Sequence, residues 1–345
     1  MNPVENALYE KMKARLHRMI PDAELRIKAG IAAEILELKQ KRNAVILAHN
    51  YMEPALFYSV PDYRGDSLDL SRRAATVRQE VIVFCGVRFM AETAKILSPS
   101  KTVLLPSERA GCSLAESITA EDVRNLRKTF PGVPVVSYVN TYADVKAETD
   151  ICCTSSNANA VVESLHSETV IFLPDEYLAR NVARETGKHI LFPSKLPIPS
   201  GGLLDVQLIG WHGRCEVHER FTVEDIENAR RQFPSVIVLA HPECSPEVTT
   251  AADFSGSTNA MIRYVEEHAA TQYLVLTECA MGDNIAAAHP DKDMLRMCSI
   301  RCPHMNEITL LDTRDALLLN RYPIEVPEPI RLRALRSVER MLAIG

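Results

Sequence analysis

The sequence predicts an α/β protein of three pseudosymmetric αβα subdomains, an internal triplication around a central cavity. Three observations predict it. First, "ITAEDVRNLRKTFPGVPVVSYVN" (118–140) returns as "FTVEDIENARRQFPSVIVLAHPEC" (221–244). Thr119, Glu121, Asp122, Asn125, Phe130, Pro131 and Val133 recur as Thr222, Glu224, Asp225, Asn228, Phe233, Pro234 and Val236, the mark of a duplicated supersecondary unit. Second, three short apolar runs end in polar residues: "AVILAHN" (44–50), "PVVSYVN" (134–140) and "VIVLAHPEC" (236–244). Third, each run leads into a Ser- or Thr-rich helix start and then a second apolar run, the pattern of βαβ units with buried parallel strands.

Taken in order, an amphipathic helical segment (about 5–40) precedes the first unit. The helix starts are "GDSLDLSRRAA" (65–75), "CTSSNANAVVESL" (153–165) and "SGSTNAMIRYVEE" (255–267). The second strands are "EVIVFCGV" (80–87), "ETVIFLP" (168–174) and "QYLVLTECA" (272–280). A third strand-like or loop segment closes each unit, in "TVLLPSERAGC", "HILFPSK" through "GWHGRC", and "RMCSIRC". The expected boundaries are 1–40 for N-terminal helices, 41–112, 113–215 and 216–302 for the subdomains, and 303–345 for a C-terminal segment. Its amphipathic helix (about 328–343) is expected to pack back on the first subdomain. The alternative is one large doubly wound domain, against which the matched Thr-x-Glu-Asp and Phe-Pro positions speak.

Composition narrows the function. The 345 residues are 46% hydrophobic and 24% charged with a net charge of −6. No long basic run provides a nucleic-acid surface. No run of 18 apolar residues provides a membrane span, and "MNPVENALYEKMKARLHRM" lacks the apolar core of a signal peptide. A cytoplasmic setting is expected, where nine cysteines without a C-x-x-C pair are buried thiols, metal ligands or catalytic groups rather than disulfides. No dinucleotide fingerprint, Walker A, G-x-S-x-G or H-E-x-x-H pattern appears.

Each unit closes on a cysteine: Cys112, Cys215 and Cys302. Cys112 and Cys215 both stand seven residues before the repeated threonines Thr119 and Thr222, so they are equivalent. Equivalent positions of a pseudo-threefold assembly gather at its axis, and three thiolates there select zinc, copper or an iron–sulfur cluster. A site with three protein ligands keeps a position open for substrate or water. A [4Fe-4S] cluster held this way presents one iron as a Lewis acid. Cys85, Cys152, Cys153 and Cys279 lie in or beside apolar strands and read as core. Cys244 and Cys298 stand closer to the expected site, and Cys298 competes with Cys302 for the third ligand.

The first strands deliver polar pairs at their carboxyl ends, where open parallel sheets bind ligands: His49 with Tyr51, Tyr138 with Asn140, His241 with Glu243. Ser67, Ser155 and the Ser257–Thr258 pair occupy expected N-cap positions, and three such starts facing one cavity suit a ligand with several negative charges. Glu243 is the expected general base, with a pKa raised by a partly dry cavity, and Tyr51 and His241 the expected proton donors or orienting groups.

Together, "AHNYM", "GDSL", "GVRFMAETAKIL", "GCSLAE", "YVNT", "CTSSNA", "GRCEVHERF", "HPEC", "GST", "TECAMGDNI" and "RCPHMN" resemble the quinolinate synthase family, the A protein of de novo NAD biosynthesis, in order from about 44 to about 306. The resemblance implies condensation of iminoaspartate with dihydroxyacetone phosphate to quinolinate, releasing phosphate and two waters. It implies three pseudosymmetric subdomains around an oxygen-sensitive [4Fe-4S] cluster on Cys112, Cys215 and Cys302. It places substrate contacts at His49, Ser67, Tyr138, Asn140, Ser155, His241, Glu243 and Thr258, and condensation and ring closure at Tyr51. It also implies functional coupling to an enzyme that produces iminoaspartate. Two features depart from the family. "CSIRC" spaces Cys298 and Cys302 four apart, so the disulfide switch of relatives with C-x-x-C-x-x-C is not assumed for this chain. The Pro- and Gly-containing segment 193–215 is longer than in compact members and is expected to be a loop lining or covering the cavity entrance. A zinc-dependent hydratase or hydrolase, or a non-catalytic anion-binding protein, are the competing readings.

Overall fold

The apolar runs become strands because each is bounded by turn or capping residues and packed on both faces. In the computed structural model, described here for residues 1–193 and 205–344, they form three parallel sheets. The first contains β1 (Ala44–His49), β2 (Tyr63–Gly65), β3 (Val81–Cys85) and β4 (Thr102–Leu104) in the order β2-β1-β3-β4. The second contains β5 (Val135–Tyr138), β6 (Ile151–Cys153), β7 (Val170–Leu173), β8 (Ile190–Leu191) and β9 (Leu208–Ile209), ordered β6-β5-β7-β9-β8. The third contains β10 (Ile237–Ala240), β11 (Phe254–Ser255), β12 (Gln272–Leu276) and β13 (Asp293–Arg296), ordered β11-β10-β12-β13. Helices flank each sheet, giving three αβα units, as the sequence predicts.

The short strands β2, β6 and β11 escape a sequence reading because two or three residues carry no periodicity. One residue type marks their place in all three units. Asp62, Asp150 and Asp253 each accept the N–H of the neighbouring central strand, at Ile46 (2.8 Å), Val135 (2.8 Å) and Val238 (2.7 Å). Each also returns its own N–H to that strand, at 2.9–3.0 Å. A basic side chain partners each carboxylate: Lys39, Arg127 and Arg230.

The repeated Thr-x-Glu-Asp positions are capping boxes. Thr119 and Thr222 accept from Asp122 and Asp225, whose carboxylates accept from the threonine N–H groups. A third box, Thr309 with Asp312, opens the helix Leu310–Leu319 seven residues after Cys302, completing the triplication. That helix packs on β3 and on the N-terminal helix Asp22–Lys41. The final helix, Glu328–Leu342, packs against Arg88–Leu97 of the first unit and also against Ala143–Ala147 and β6 of the second. The largest buried cluster centres on the first sheet, with a smaller one in each of the other units.

Of the segment 193–215, residues 194–204 lie outside the described residues, and with them the expectation of an entrance loop. Among the described residues, no helix is long and apolar enough to cross a membrane.

Candidate active site

The central strands β1, β5 and β10 aim their carboxyl ends at one cavity, whose wall includes His49, Tyr51, Ser67, Tyr138, Asn140, Ser155, His241, Glu243 and Thr258. Cys112, Cys215 and Cys302 line the same cavity. Every residue assigned from the sequence to catalysis, substrate contact or the three-cysteine set reaches it except Ser257, whereas Cys244 and Cys298 are not part of its described wall. That serine is the N-cap of the helix Thr258–Glu267, and its hydroxyl turns to Asp66 Oδ2 at 3.3 Å.

The helix starts also differ in detail from expectation. The cap of Ser67–Thr76 is Asp66, which accepts from Asp69 N–H. The cap position of Ala158–Ser164 is Asn157, whose Oδ1 accepts from Thr154 N–H. Ser67 and Thr258 therefore sit one residue inside their helices, at the first-turn N–H groups that have no helical acceptor. Asp66 Oδ2 also accepts from Ser156 Oγ at 2.9 Å, so one carboxylate gathers the helix starts of all three units.

His49 and His241 are equivalent beyond their strand positions. The N–H two residues on points back at each ring: Tyr51 N to His49 Nδ1 (3.2 Å) and Glu243 N to His241 Nδ1 (3.3 Å). Nδ1 is thus the acceptor, and Nε2 carries the hydrogen in both. Burial pushes His49 down to about 4 and His241 to about 3, so both are neutral N–H donors at pH 7.

Glu243 is 4% exposed. Oε1 accepts from Tyr138 OH (2.5 Å) and Asn140 Nδ2 (3.3 Å), and Oε2 lies 2.8 Å from His218 Nδ1. Burial would raise the carboxyl, but the His218 and His241 rings and the hydrogen bonds from His218 and Tyr138 outweigh it, holding the group below the ordinary carboxylate range. This reverses the expectation of a raised pKa. Glu243 is a fixed carboxylate, better suited to orienting a partner than to taking a proton at pH 7.

The partner is His218, which sequence reasoning missed. Its Nε2 lies 2.9 Å from Thr277 Oγ1, and Thr277 Oγ1 lies 2.6 Å from Tyr51 OH. Glu243, His218, Thr277 and Tyr51 line up as carboxylate, imidazole, hydroxyl and phenol across two units, with His218 Nδ1 shared between Glu243 Oε2 and Cys215 Sγ, the latter at 3.1 Å. Burial, reinforced by the Glu243 charge, raises the Tyr51 phenol well above its usual value, so it enters any reaction as a protonated donor. The signal in the sequence was position: His218 stands three residues after Cys215 in "GRCEVHERF".

The three cysteines share one local geometry. Each opens a short helical turn whose fourth N–H returns to the cysteine carbonyl: Glu116 to Cys112 (3.0 Å), Glu219 to Cys215 (3.0 Å), Asn306 to Cys302 (3.2 Å). Burial raises all three thiols, Cys302 to about 11, while the N–H groups two and three residues ahead act in the opposite direction on each sulfur. Those N–H groups belong to Leu114 and Ala115, Val217 and His218, His304 and Met305. Three soft donors, each with oriented N–H groups and open to one cavity, fit a metal cluster that neutralises the thiolates.

The remaining cysteines sort differently from one another. Cys85, Cys152, Cys153 and Cys244 are buried free thiols. Cys298, the competitor for the third ligand, is bonded to Cys279 at 2.06 Å, which removes it from the set and corrects the reading of Cys279 as a plain core thiol. Glu278 is a further cavity residue that sequence reasoning passed over. Its Oε2 accepts from Ala280 N–H at 2.6 Å, its Oε1 has no hydrogen-bond partner among the described residues, and burial raises it to about 7.

Comparison with known proteins agrees with this geometry. The family profile described as "Quinolinate synthetase A protein" matches residues 33–343. "Quinolinate synthase 2" of Mesorhizobium japonicum is 54% identical over 330 residues, covering 96% of each chain. "Quinolinate synthase" of Agrobacterium fabrum is 55% identical over 330 residues, 96% of this chain and 90% of its own. That of Xylella fastidiosa is 56% identical over 310 residues, 90% and 86% respectively. A match of this length, over a triplicated fold with three equivalent cysteines, leads to one conclusion: the chain belongs to the quinolinate synthase family, enzymes of NAD biosynthesis.

Proposed function

We propose that the chain condenses iminoaspartate with dihydroxyacetone phosphate to quinolinate, phosphate and two waters, using a [4Fe-4S] cluster held by Cys112, Cys215 and Cys302. The observation that carries this reading is the threefold equivalence of those cysteines, each at the mouth of a short turn and each facing the cavity that holds Tyr51 and Glu243. A cluster with three cysteine ligands leaves one iron free to act as a Lewis acid in loss of hydroxide.

The chain's own residues supply the rest. The substrates bring two carboxylates and a phosphate, and the first-turn N–H groups at Ser67 and Thr258, with the turn at Ser155, are positive counterparts for them. His49 and His241 offer neutral Nε2–H donors to carbonyl or carboxylate oxygens without adding charge. Tyr51 donates its proton to the reacting substrate and is reprotonated through Thr277 and His218. Glu243 holds His218 in orientation and balances the imidazolium charge that is discharged when His218 passes its Nε2 proton to Thr277. Tyr138 and Asn140 fix Glu243 from its other oxygen.

A second reading has a specific observation in its favour. One ligand atom each from Cys215, His218 and Glu243 lie within 4.8 Å of one another, a donor set for a single zinc ion. Iron, acid-labile sulfide and zinc per chain, on protein purified without oxygen, separate the two. About four irons and four sulfides with quinolinate-forming activity are expected. One zinc and no sulfide would overturn the cluster reading.

A further inference from the structure

The three cysteines sit on loops belonging to three different α/β units whose sheets share no strand. Something outside the sheets must fix how the loops meet, and the side chains next to the cysteines do so. Between the first and second loops, Ser113 Oγ accepts from Glu216 N–H (3.2 Å) and donates to the Arg214 carbonyl (3.4 Å). Between the second and third, His304 Nε2 lies 3.0 Å from Glu216 Oε1. Between the third and first, Arg109 Nη2 pairs with Glu307 Oε2 at 2.6 Å. The His304 ring also packs on Gly111, where an added Cβ would come within 3.5 Å of it and 2.7 Å of Glu116 Oε1. Every loop is tied to both of the others, so the contacts close into a ring. The ring is on the solvent side: Arg109 is 82% exposed and Glu216 40%, while Ser113, Glu216 and His304 line the cavity.

We propose that Ser113, Glu216, His304 and the Arg109–Glu307 pair are positioning residues that latch the three cysteine loops together and set how slowly the metal site opens to solvent. The inference rests on the reading of Cys112, Cys215 and Cys302 as ligands. Among the described residues, a gap between two of these loops is a direct route by which metal can leave and a chelator or oxygen can enter. Parting them anywhere breaks one joint and leaves the other two holding. Breaking one joint by mutation therefore opens the ring, and breaking a second adds little. Independent structural contacts would instead add.

The test uses the full chain, prepared without oxygen, as wild type, Glu216→Ala, Ser113→Ala and the double variant; Glu216 is chosen because His304 also reaches the first loop, at Gly111 and the Arg109 carbonyl. The readouts are the rate of iron transfer to a coloured chelator and, on metal-free protein, the rate at which the thiols react with an aromatic disulfide reagent. The single variants are expected to take up the wild-type amount of iron and to release it about five- to twentyfold faster, the size expected from losing one or two hydrogen bonds. The double variant is expected to stay within about twofold of the faster single. Thiol reactivity should rise in the same pattern. Release and thiol reactivity at wild-type rates in both singles, or rates that multiply in the double, would overturn the latch. If wild type holds no iron, the cluster reading fails by itself, and the thiol rates of the metal-free proteins still decide the latch. Should Glu216→Ala fail to fold, Arg109→Ala breaks the joint between the third and first loops from an exposed position.

Discussion

Replacing His218 by Asn cuts the chain from Glu243 to Tyr51 at its centre. His218 is 2% exposed, with Nδ1 2.8 Å from Glu243 Oε2 and 3.1 Å from Cys215 Sγ, and Nε2 2.9 Å from Thr277 Oγ1, and a shorter amide cannot span both sides. A hydrogen bond to a charged group is worth about 1.5–3 kcal/mol, and a positioned proton transfer contributes about 10²–10⁴-fold. The expected loss in kcat is therefore about 10²–10³-fold. KM should move by no more than about threefold, because His218 is not among the groups proposed to take the substrate's charges. A second consequence tests the same contact. The Glu243 pKa lies below its unfolded value near 4.5 because of the His218 and His241 rings. The carboxylate thus contributes stability that is present above pH 4.5 and lost as pH falls through the folded value. In His218→Asn the largest group that lowers Glu243 is gone, so its pKa moves up and that contribution shrinks. Steady-state quinolinate formation and iron per chain, measured together, decide the matter. Wild-type kcat would refute the proton chain, and loss of all metal would favour an ion bound by Cys215, His218 and Glu243.

Three further outcomes follow from other parts of the site. Cys112→Ser, Cys215→Ser and Cys302→Ser should each lose iron and brown absorption, whereas Cys85→Ala, a buried thiol beside Thr313, should keep both; a bleached Cys85→Ala would break the assignment of ligands. Tyr51→Phe and Thr277→Val should each lower kcat, and the double should be no worse than the poorer single, because both interrupt one chain; multiplicative losses would separate the two residues. In metal-free protein, His49 and His241 are neutral when folded down to about 4 and about 3 but titrate near 6.5 when unfolded. The unfolded state then binds more protons as pH drops from 6.5, so stability should fall by about 1.4 kcal/mol per pH unit for each. Urea midpoints between pH 7 and 4.5 check this, and a double His→Gln variant with an unchanged slope would exclude the two rings as its source.

How much of this was readable in the chain depended on where each interaction ends. The capping boxes at Thr119 and Thr222 were visible because a cap acts within four residues and leaves a fixed spacing. The third box at Thr309 was not recognised, since "TLLDTRDALLLNRYP" keeps the Thr and Asp but loses the Glu and the Phe-Pro that made the first two alike. Asp62, Asp150 and Asp253 bond a strand 15 or 16 residues away, too far for any local pattern to reveal them. That Cys112, Cys215 and Cys302 line one cavity was legible because symmetry substitutes for contact information: equivalent positions meet at an axis. The role of His218 was not, because no equivalent histidine follows Cys112 or Cys302, where Ala115 and Met305 stand instead.

That asymmetry is where the chemistry resides. A threefold scaffold supplies three of whatever its repeat encodes, here three cysteine turns, three strand ends and three helix starts. Catalysis needs unlike groups in unlike places, so the repeat must diverge at those positions while its caps and strand-bonding aspartates stay alike. The strand ends show the divergence within one motif. His49-x-Tyr51 and His241-x-Glu243 fold identically around their histidines, yet one delivers a phenol and the other a carboxylate to opposite ends of the chain through His218 and Thr277. Exchanging the two end groups, Tyr51→Glu with Glu243→Tyr, would preserve both backbone turns and every charge count. It would also remove the carboxylate from the side where Tyr138 and Asn140 donate to it, so retained activity in that double variant would show that the polarity of the chain is not what the enzyme uses.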